Sequence, residues 1–308
     1  MLYGKKLSII TINYNNLAGL QKTTESVVAQ TCSDFEWIVI DGGSTDGSKE
    51  FLEKNSEKIT YWVSERDRGI YHAMNKGVSA AKGDYCLFLN SGDRLHSNDT
   101  VMNILRELHD EDILSGDEWW VDEDYTFKKV NSNPDILTPY RLLVGILWHQ
   151  CTFIKRVRLL EHPYDESLRI SSDWEEMFYE LIVRKGTYRH LPYIVSDFIA
   201  GGISENMKLI AIERGKVLDK YLSKKEQHTI ALEHLCQYDD MKHNRQIAEL
   251  AFSSFVNGWY NNNEYNELFS KYWNRIIKGP IKYSFFIILC FWGQMNIAKK
   301  LFSLIKGI

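Results

Sequence analysis

Four short stretches of this chain place acids, amides and glycines where a ligand could meet them. Two of them, I-D-G-G-S-T-D-G-S (40–48) and F-L-N-S-G-D (88–93), end an apolar run on a carboxylate set in a glycine turn. A third, S-I-I-T-I-N-Y-N (8–15), carries Thr11, Asn13 and Tyr14 at its end. The fourth, E-R-D-R-G-I-Y-H-A-M-N-K-G (65–77), holds Asp67 and Arg68 before a helical pattern and Asn75 and Lys76 inside it. Farther along, Asp173 opens another helical pattern beside Trp174, and the pair His149-Gln150 precedes a short apolar run. Carboxylate oxygens can hold a hard divalent cation, accept an N–H, or take a proton from a hydroxyl. Each position also has a structural alternative. Asp41 could cap its own turn, 90–93 could be a polar turn, and Thr11, Asn13 and Tyr14 could be ordinary strand-end residues. Ser171 or Ser172 could cap a helix whose first turn Asp173, Glu175 and Glu176 complement electrostatically. His149 and His72 could be packing residues.

The elements that must position these residues follow from periodicity. Apolar, β-branched runs at 7–13 and 35–41, with shorter ones at 59–63 and 85–89, predict buried parallel strands. Between them, 17–29, 49–54 and 69–82 carry apolar residues at helical spacing, so the order is β-α-β-α-β-α-β. That order predicts an α/β fold, a mostly parallel mixed sheet with helices on both faces and right-handed crossovers. Ligands on such sheets meet the carboxyl ends of the strands, where Asp41 and 90–93 fall. From 113 to 199 the pattern is mixed, with strands at 127–130, 152–154 and 194–198 around a helix at 172–184. After Gly201-Gly202 only helical patterns remain, at 208–222, 243–257, 265–277 and 283–305. The predicted division is a catalytic domain over 1–205 and a helical region over 206–308.

The four stretches in this order resemble the inverting family 2 glycosyltransferases with the GT-A nucleotide-sugar-binding fold. The resemblance is to the bacterial surface-polysaccharide branch that reads D-G-G-S-T-D-G and L-N-S-G-D, and it covers roughly 6–204. It implies transfer of a sugar from a nucleoside diphosphate donor, UDP first, to a saccharide or lipid-linked acceptor. It implies that Thr11, Asn13, Tyr14, Asp41, Asp67, Arg68, Asn75, Asn90 and Ser91 bind the donor, Asp41 accepting the imide N–H of a uracil. It implies that Asp93 ligates Mn²⁺ or Mg²⁺, that Asp173 is the general base, and that His149, Gln150 and Trp174 face the donor or acceptor pocket. The stretch 201–204 is similar to a loop that closes over the diphosphate. The chain departs from the family in three places. Gly42 replaces a second acid after Asp41, Asn90 and Gly92 replace the earlier acids of the metal motif, and His72 stands where Asp is common.

Composition narrows the alternatives. The 308 residues are 44% hydrophobic and 25% charged, which excludes a disordered chain. A net charge of −4 gives no support to nucleic-acid binding. The 5 cysteines never fall in C-x-x-C spacing and read as reduced thiols of a cytoplasmic protein. No apolar run reaches the roughly 18–20 residues needed to span a bilayer. From 271 to the end, Lys271, Arg275, Lys278, Lys282, Lys299, Lys300 and Lys306 stand among aromatics with no acid. That pattern predicts a peripheral helix on an anionic membrane, or aromatics packed on the domain or in a homodimer interface. Two rivals to the transferase remain. A sugar nucleotidyltransferase would need a glycine-rich N-terminal run that 8–15 lacks, and a non-catalytic carbohydrate-binding protein would explain Asn90 and Gly92.

Overall fold

The computed structural model describes residues 6–121, 128–144, 147–199 and 206–223, with 226, 227 and 230. The stretch 201–204, the helical patterns beyond 242 and the basic tail lie outside the described residues. The chain divides into two compact units, Met1–Val217 and Leu218–Ile308, and the site belongs to the first.

The sheet is built outward from β1 (Leu7–Asn13), every residue of which is buried. A strand buried on both faces has no polar side, which is why its sequence does not alternate. Parallel partners flank it, β2 (Phe35–Asp41) on one side and β4 (Tyr85–Phe88) on the other, while β3 (Tyr61–Ser64) adds to β2. The β1–β2 register runs Leu7 against Phe35 through Asn13 against Asp41, so the two polar strand ends stand side by side. Pairing with β1 continues past β4, Ser91 N–H donating to Ile12 C=O at 3.1 Å, and this carries 90–93 to the same edge.

Helices α1 (Leu17–Val28), α2 (Ser48–Lys54) and α3 (Ile70–Ala80) connect these strands. Asn16 caps α1, its side chain accepting Gly19 N–H at 3.0 Å. Helix α3 lies close on β1 because Gly77 has no side chain; a Cβ there would stand 2.4 Å from Ile10 Cγ2. The core between the sheet and its helices holds Leu7, Ile9, Leu20, Trp37, Leu52, Leu87 and Phe153.

Beyond β4 the sheet turns antiparallel. β8 (Thr152–Lys155) pairs with β4, β6 (Ile113–Val121) with β8, and the hairpin strand β7 (Lys128–Asn131) with β6. β9 (Tyr188–Ile199) runs parallel to β6, and β5 (Arg94–Leu95) closes the edge. Helices α4 (Thr100–Glu107), α5 (Pro139–Val144), α6 (Arg156–Glu161), α7 (Ser172–Phe178) and α8 (Met207–Tyr221) complete the described elements.

The predicted β-α-β-α-β-α-β half is present. Elements the pattern does not predict are β5, β6, α4, α5 and α6, and β9 begins earlier than the expected 194–198. Two differences have a plain structural reason. β6 hides behind the turn-like Gly116-Asp117, but Gly116 is a packing residue at a bulge: a Cβ would meet Val195 Cγ2 at 2.5 Å and Tyr193 C=O at 2.8 Å. The helix predicted over 172–184 is α-helical only to Phe178, and Tyr179–Val183 is a π turn. Among the described residues Cys32, Cys86 and Cys151 are free thiols.

Candidate active site

Three strand ends are tied by one chain of side chains. Ser91 Oγ donates to Asn13 Oδ1 at 2.7 Å, and Asn13 Nδ2 donates to Asp41 Oδ1 at 2.7 Å. Asp41 also accepts Ser44 Oγ at 2.5 Å, Ser44 N–H at 3.0 Å and Ser64 Oγ at 2.6 Å. A carboxylate has about four lone-pair sites, and here the protein's own donors occupy them. Burial alone would raise the Asp41 carboxyl; the bonds from Ser44, Ser64 and Asn13 outweigh it and hold the group below its ordinary value. The geometry therefore has Asp41 anchoring the 42–44 turn. Gly42 faces the Tyr14 ring and the Asp67 carboxylate, which a Cβ would approach to 3.1 and 3.2 Å. A second acid at 42 would have to displace that neighbour.

The Asn90–Asp93 turn is organised from α1. Thr23 Oγ1 donates to Asp93 C=O at 2.7 Å and accepts Gly92 N–H at 3.0 Å, and Asn16 Nδ2 donates to Ser91 C=O at 2.9 Å. Gly92 has φ +114, a conformation that favours glycine. Asp93 is 7% exposed, and burial pushes it up to about 6 against the opposing pull of His149 and Asn90 N–H. Asn90 Oδ1 is buried without a hydrogen-bond partner. A buried carboxylate and an unsatisfied amide oxygen make a hard-oxygen pair suited to Mg²⁺ or Mn²⁺. Among the described residues no set of three His, Cys, Asp or Glu converges on a metal site. Two protein oxygens alone leave most of a six-coordinate shell to other ligands.

Asp173 sits on the first turn of α7, its carboxylate held from three sides. Oδ1 accepts Tyr71 Oη at 3.0 Å and Trp174 N–H at 2.9 Å, and Oδ2 stands 3.3 Å from His149 Nδ1. The other ring nitrogen of His149, Nε2, lies 3.1 Å from Asn90 Nδ2. The tautomer protonated on Nδ1 satisfies both contacts, donating to Asp173 and accepting from Asn90. One imidazole therefore spans from the candidate base to the Asn90–Asp93 turn. Burial alone would raise Asp173; the His149 bond and charge reverse this and keep the carboxyl below its ordinary value. His149 is raised in turn, burial being outweighed by Asp173 and by the charges of Asp93 and Glu118.

Several predicted residues take other positions. Thr11 is fully buried and its hydroxyl accepts Trp37 Nε1 at 3.0 Å, so it bonds within the sheet and leaves no face for a nucleoside. Trp174 is corrected likewise. It is 0% exposed, donates Nε1–H to Leu142 C=O at 2.7 Å and stacks on Phe178, so it walls no open pocket. Asn75 bonds both N–H and C=O of Tyr164, and Arg68 pairs with Glu166 at 2.7 Å, so both clasp the segment that leads to Asp173. Asp67 bonds Lys76 Nζ at 2.8 Å and His72 Nδ1 at 3.2 Å, which gives His72 a structural partner. Gln150 is buried and donates to Glu118 Oε2 at 2.5 Å. Tyr14 is 66% exposed beside the strand ends.

Two participants are not singled out in the sequence: Glu118 lies in none of the four stretches, and Tyr71 stands within 65–77 with nothing to mark it. Glu118, on β6, is 1% exposed, and burial pushes it up to about 7 despite donors from Asn131 and Gln150. Tyr71 reaches Asp173 across 102 residues of sequence.

An α/β sheet with acids gathered at its parallel strand ends, and a buried carboxylate brought over them from a later helix, defines a nucleotide-sugar-transferase-like architecture. Comparison with known proteins narrows this. The Glycosyl transferase family 2 profile matches residues 8–162, half of the chain, and the chain belongs to that family. An uncharacterized glycosyltransferase of Mycobacterium tuberculosis is 45% identical over 103 residues, 33% of this chain and 39% of its own length. A PGL/p-HBAD biosynthesis glycosyltransferase of Mycobacterium bovis is 30% identical over 176 residues, 54% of this chain and 66% of its own. The chain thus spans less than two thirds of the curated relatives it matches. Staphylococcus aureus TarS 1–349, solved with UDP-GlcNAc, shares the fold at TM-score 0.61 and 14% identity, over 98% of this chain and 92% of that one. The mannosyltransferase PcManGT of Pyrobaculum calidifontis, solved with GDP-Man and Mn²⁺, aligns at TM-score 0.51 and 13% identity, over 98% and 86%.

Proposed function

We propose that this chain is an inverting glycosyltransferase that moves a sugar from a nucleoside diphosphate donor, UDP in first place, to a saccharide or lipid-linked saccharide in bacterial surface-polysaccharide assembly. The observation that carries the reading is the Asp173–His149–Asn90 bridge, which sets a buried carboxylate one imidazole away from the strand-end turn. The UDP and UDP-GlcNAc complexes of TarS favour a uridine donor. The bacterial origin of the matched relatives supports the setting.

In this mechanism the acceptor hydroxyl attacks the anomeric carbon from the face opposite the diphosphate. The new C–O bond forms as the bond to the diphosphate breaks, and Asp173 takes the hydroxyl proton. Proton removal by a positioned base contributes about 10²–10⁴-fold. Ionised because of His149, Asp173 is ready to accept at neutral pH, and Tyr71 and Trp174 N–H keep its other oxygen fixed. Tyr14 offers an exposed ring for the nucleobase, while Asp41 and Asn13 hold the strand ends that carry it. Asp93 and Asn90 would hold Mn²⁺ or Mg²⁺ together with the donor. The ion supplies positive charge for the departing diphosphate.

Among the described residues no helix is long and apolar enough to cross a membrane. The acid-free basic and aromatic tail from 271 to 308 supports peripheral attachment to an anionic membrane, where a lipid-linked acceptor would lie. The deciding experiment is UDP release from a panel of UDP-sugars with Mn²⁺, run beside thermal shift. Release of UDP that grows with added saccharide acceptor supports the transferase. Pyrophosphate formation from a nucleoside triphosphate and a sugar phosphate would assign a nucleotidyltransferase instead. Thermal shift by saccharides with no nucleotide turnover would assign a binding protein.

A further inference from the structure

Helix α8 holds the chain on both sides of Asp173. Capped at Asn206, which accepts Leu209 N–H at 3.1 Å, it turns Glu213 inward to 4% exposure. The Glu213 carboxylate accepts three successive backbone N–H groups: Arg169 at 2.8 Å on Oε1, then Ile170 at 3.0 Å and Ser171 at 3.1 Å on Oε2. These donors precede α7 and have no helical partner there, and charge-assisted bonds to backbone N–H are among the stronger kinds. Ser171 is the residue from which α7 starts, two before Asp173. The next side chain on α8, Arg214, places its guanidinium 4.7 Å from the centre of the Trp174 ring. Trp174 is fully buried and follows Asp173 directly. Residues 171 and 174 therefore flank the candidate base, and α8 holds one by a carboxylate and the other by a cation over its ring. The lead-in segment is pinned as well by Asn75 of α3, bonded to Tyr164, and by Arg68, just before α3, paired with Glu166.

We propose that Glu213 and Arg214 are positioning residues for transfer, fixing α7 so that the Asp173 carboxylate stands between His149 and Tyr71. The inference rests on the reading of Asp173 as the base. Its physical ground is tolerance: a proton acceptor displaced by about 1 Å loses much of its advantage, as catalytic geometry falls off steeply with misplacement. A seven-residue helix whose lead-in backbone is released has little of its own to keep it in place.

The test uses the full chain and the variants Glu213→Gln, Glu213→Asp and Arg214→Gln. Glutamine keeps the size of Glu213 but turns an N–H₂ toward backbone donors. Expected first is a rise of 10-fold or more in amide hydrogen exchange over 171–175, with the amides of β1 and β2 unchanged, a reading that needs no substrate. Expected second is a 10–100-fold fall in kcat for UDP release from the UDP-sugar that the wild type turns over. The donor KM and the UDP Kd stay within threefold, and Glu213→Asp recovers part of the loss. In the Asp173→Asn background Glu213→Gln costs less than threefold more, because the effect runs through Asp173. Unchanged exchange over 171–175 overturns the proposal, as does a fall in UDP affinity equal to the fall in kcat, or losses that multiply in the double variant. If Glu213→Gln does not fold, Arg214→Gln, at a half-buried position, carries the same readings. Should Asp173→Asn alone transfer like the wild type, the base assignment falls, while the exchange measurement still decides whether α8 holds α7.

Discussion

Asp173 Oδ2 and His149 Nδ1 meet at 3.3 Å, and that contact joins a helix of the later half of the chain to the edge of the parallel sheet. Working against burial, His149 holds the Asp173 carboxyl below its ordinary value, and Asp173, with the charges of Asp93 and Glu118, raises the imidazole. Removing the carboxylate should separate binding from chemistry. Asp173→Asn is expected to bind UDP as the wild type does and to lose transfer by about 10²–10⁴-fold. His149→Ala should move the acid limb of the kcat–pH profile upward, because the influence that holds Asp173 low is gone. An acid limb that stays in place would mean that His149 does not tune the base.

Asp93 offers a metal test with a pH signature. Its carboxyl, pushed up to about 6, must be ionised to bind a cation. UDP affinity in the presence of Mn²⁺ should therefore weaken as pH falls through about 6, and Asp93→Ala should abolish the Mn²⁺-dependent part. Calorimetry with UDP, with and without Mn²⁺, reads both effects. Full wild-type turnover in excess EDTA would remove the metal assignment.

Asp41 gathers four donors at the junction of β1, β2 and the 42–44 turn. Asp41→Asn turns an N–H₂ toward some of them, and the cost is expected at about 2–4 kcal/mol, from one to two unsatisfied buried groups. Because the folded Asp41 is held below its ordinary value, its contribution is present above that value and fades as pH falls through the lowered one. Urea unfolding at pH 7 and pH 3 measures the difference, which should shrink at the lower pH.

Glu118 carries the opposite sign. Raised from 4.5 to about 7, it binds a proton in the folded chain that the unfolded chain has released across that window. The wild type should lose stability as pH rises from about 4.5 to 7, a dependence that Glu118→Gln lacks. Between about pH 5 and 8 the wild type is expected to lose about 1–3 kcal/mol relative to the variant, the worth of a shift of this size at a buried site. A thermal melt series from pH 5 to 8 in which the two proteins run parallel would refute it.

The basic tail has its own readout. Full-length protein should sediment with vesicles containing phosphatidylserine and remain in solution with neutral ones, and 0.5 M salt should release it. Replacing Lys299, Lys300 and Lys306 by Glu should abolish sedimentation, each cation near such a surface being worth about 1 kcal/mol. Sedimentation by neither protein would leave the tail's aromatics to packing or a dimer interface.

Local pattern alone determined the parallel half of this protein. The unbroken apolar runs of β1 and β2, the helical spacing of α1 and α3, and the glycine turns after Asp41 and before Asp93 each specify an element from nearby residues. Strand direction and crossover handedness then bring the polar ends of β1, β2 and β4 to one edge. The succession of motifs was enough to suggest the family. What those residues touch was decided by tertiary structure. Thr11, Asp41 and Trp174 have the residue types of ligand contacts, yet each is bonded to partners that only folding brings near: Trp37, Ser64 and Leu142. Glu118 and Glu213 lie in no motif, and Tyr71 stands within 65–77 with nothing there that points to Asp173. Their places depend on a bulge in β6, on α3 lying against α7, and on α8 returning to the start of the base helix. A hydrogen bond between residues 102 apart leaves no periodic trace in the chain, because its geometry belongs to the packing of whole elements and not to the spacing of their residues.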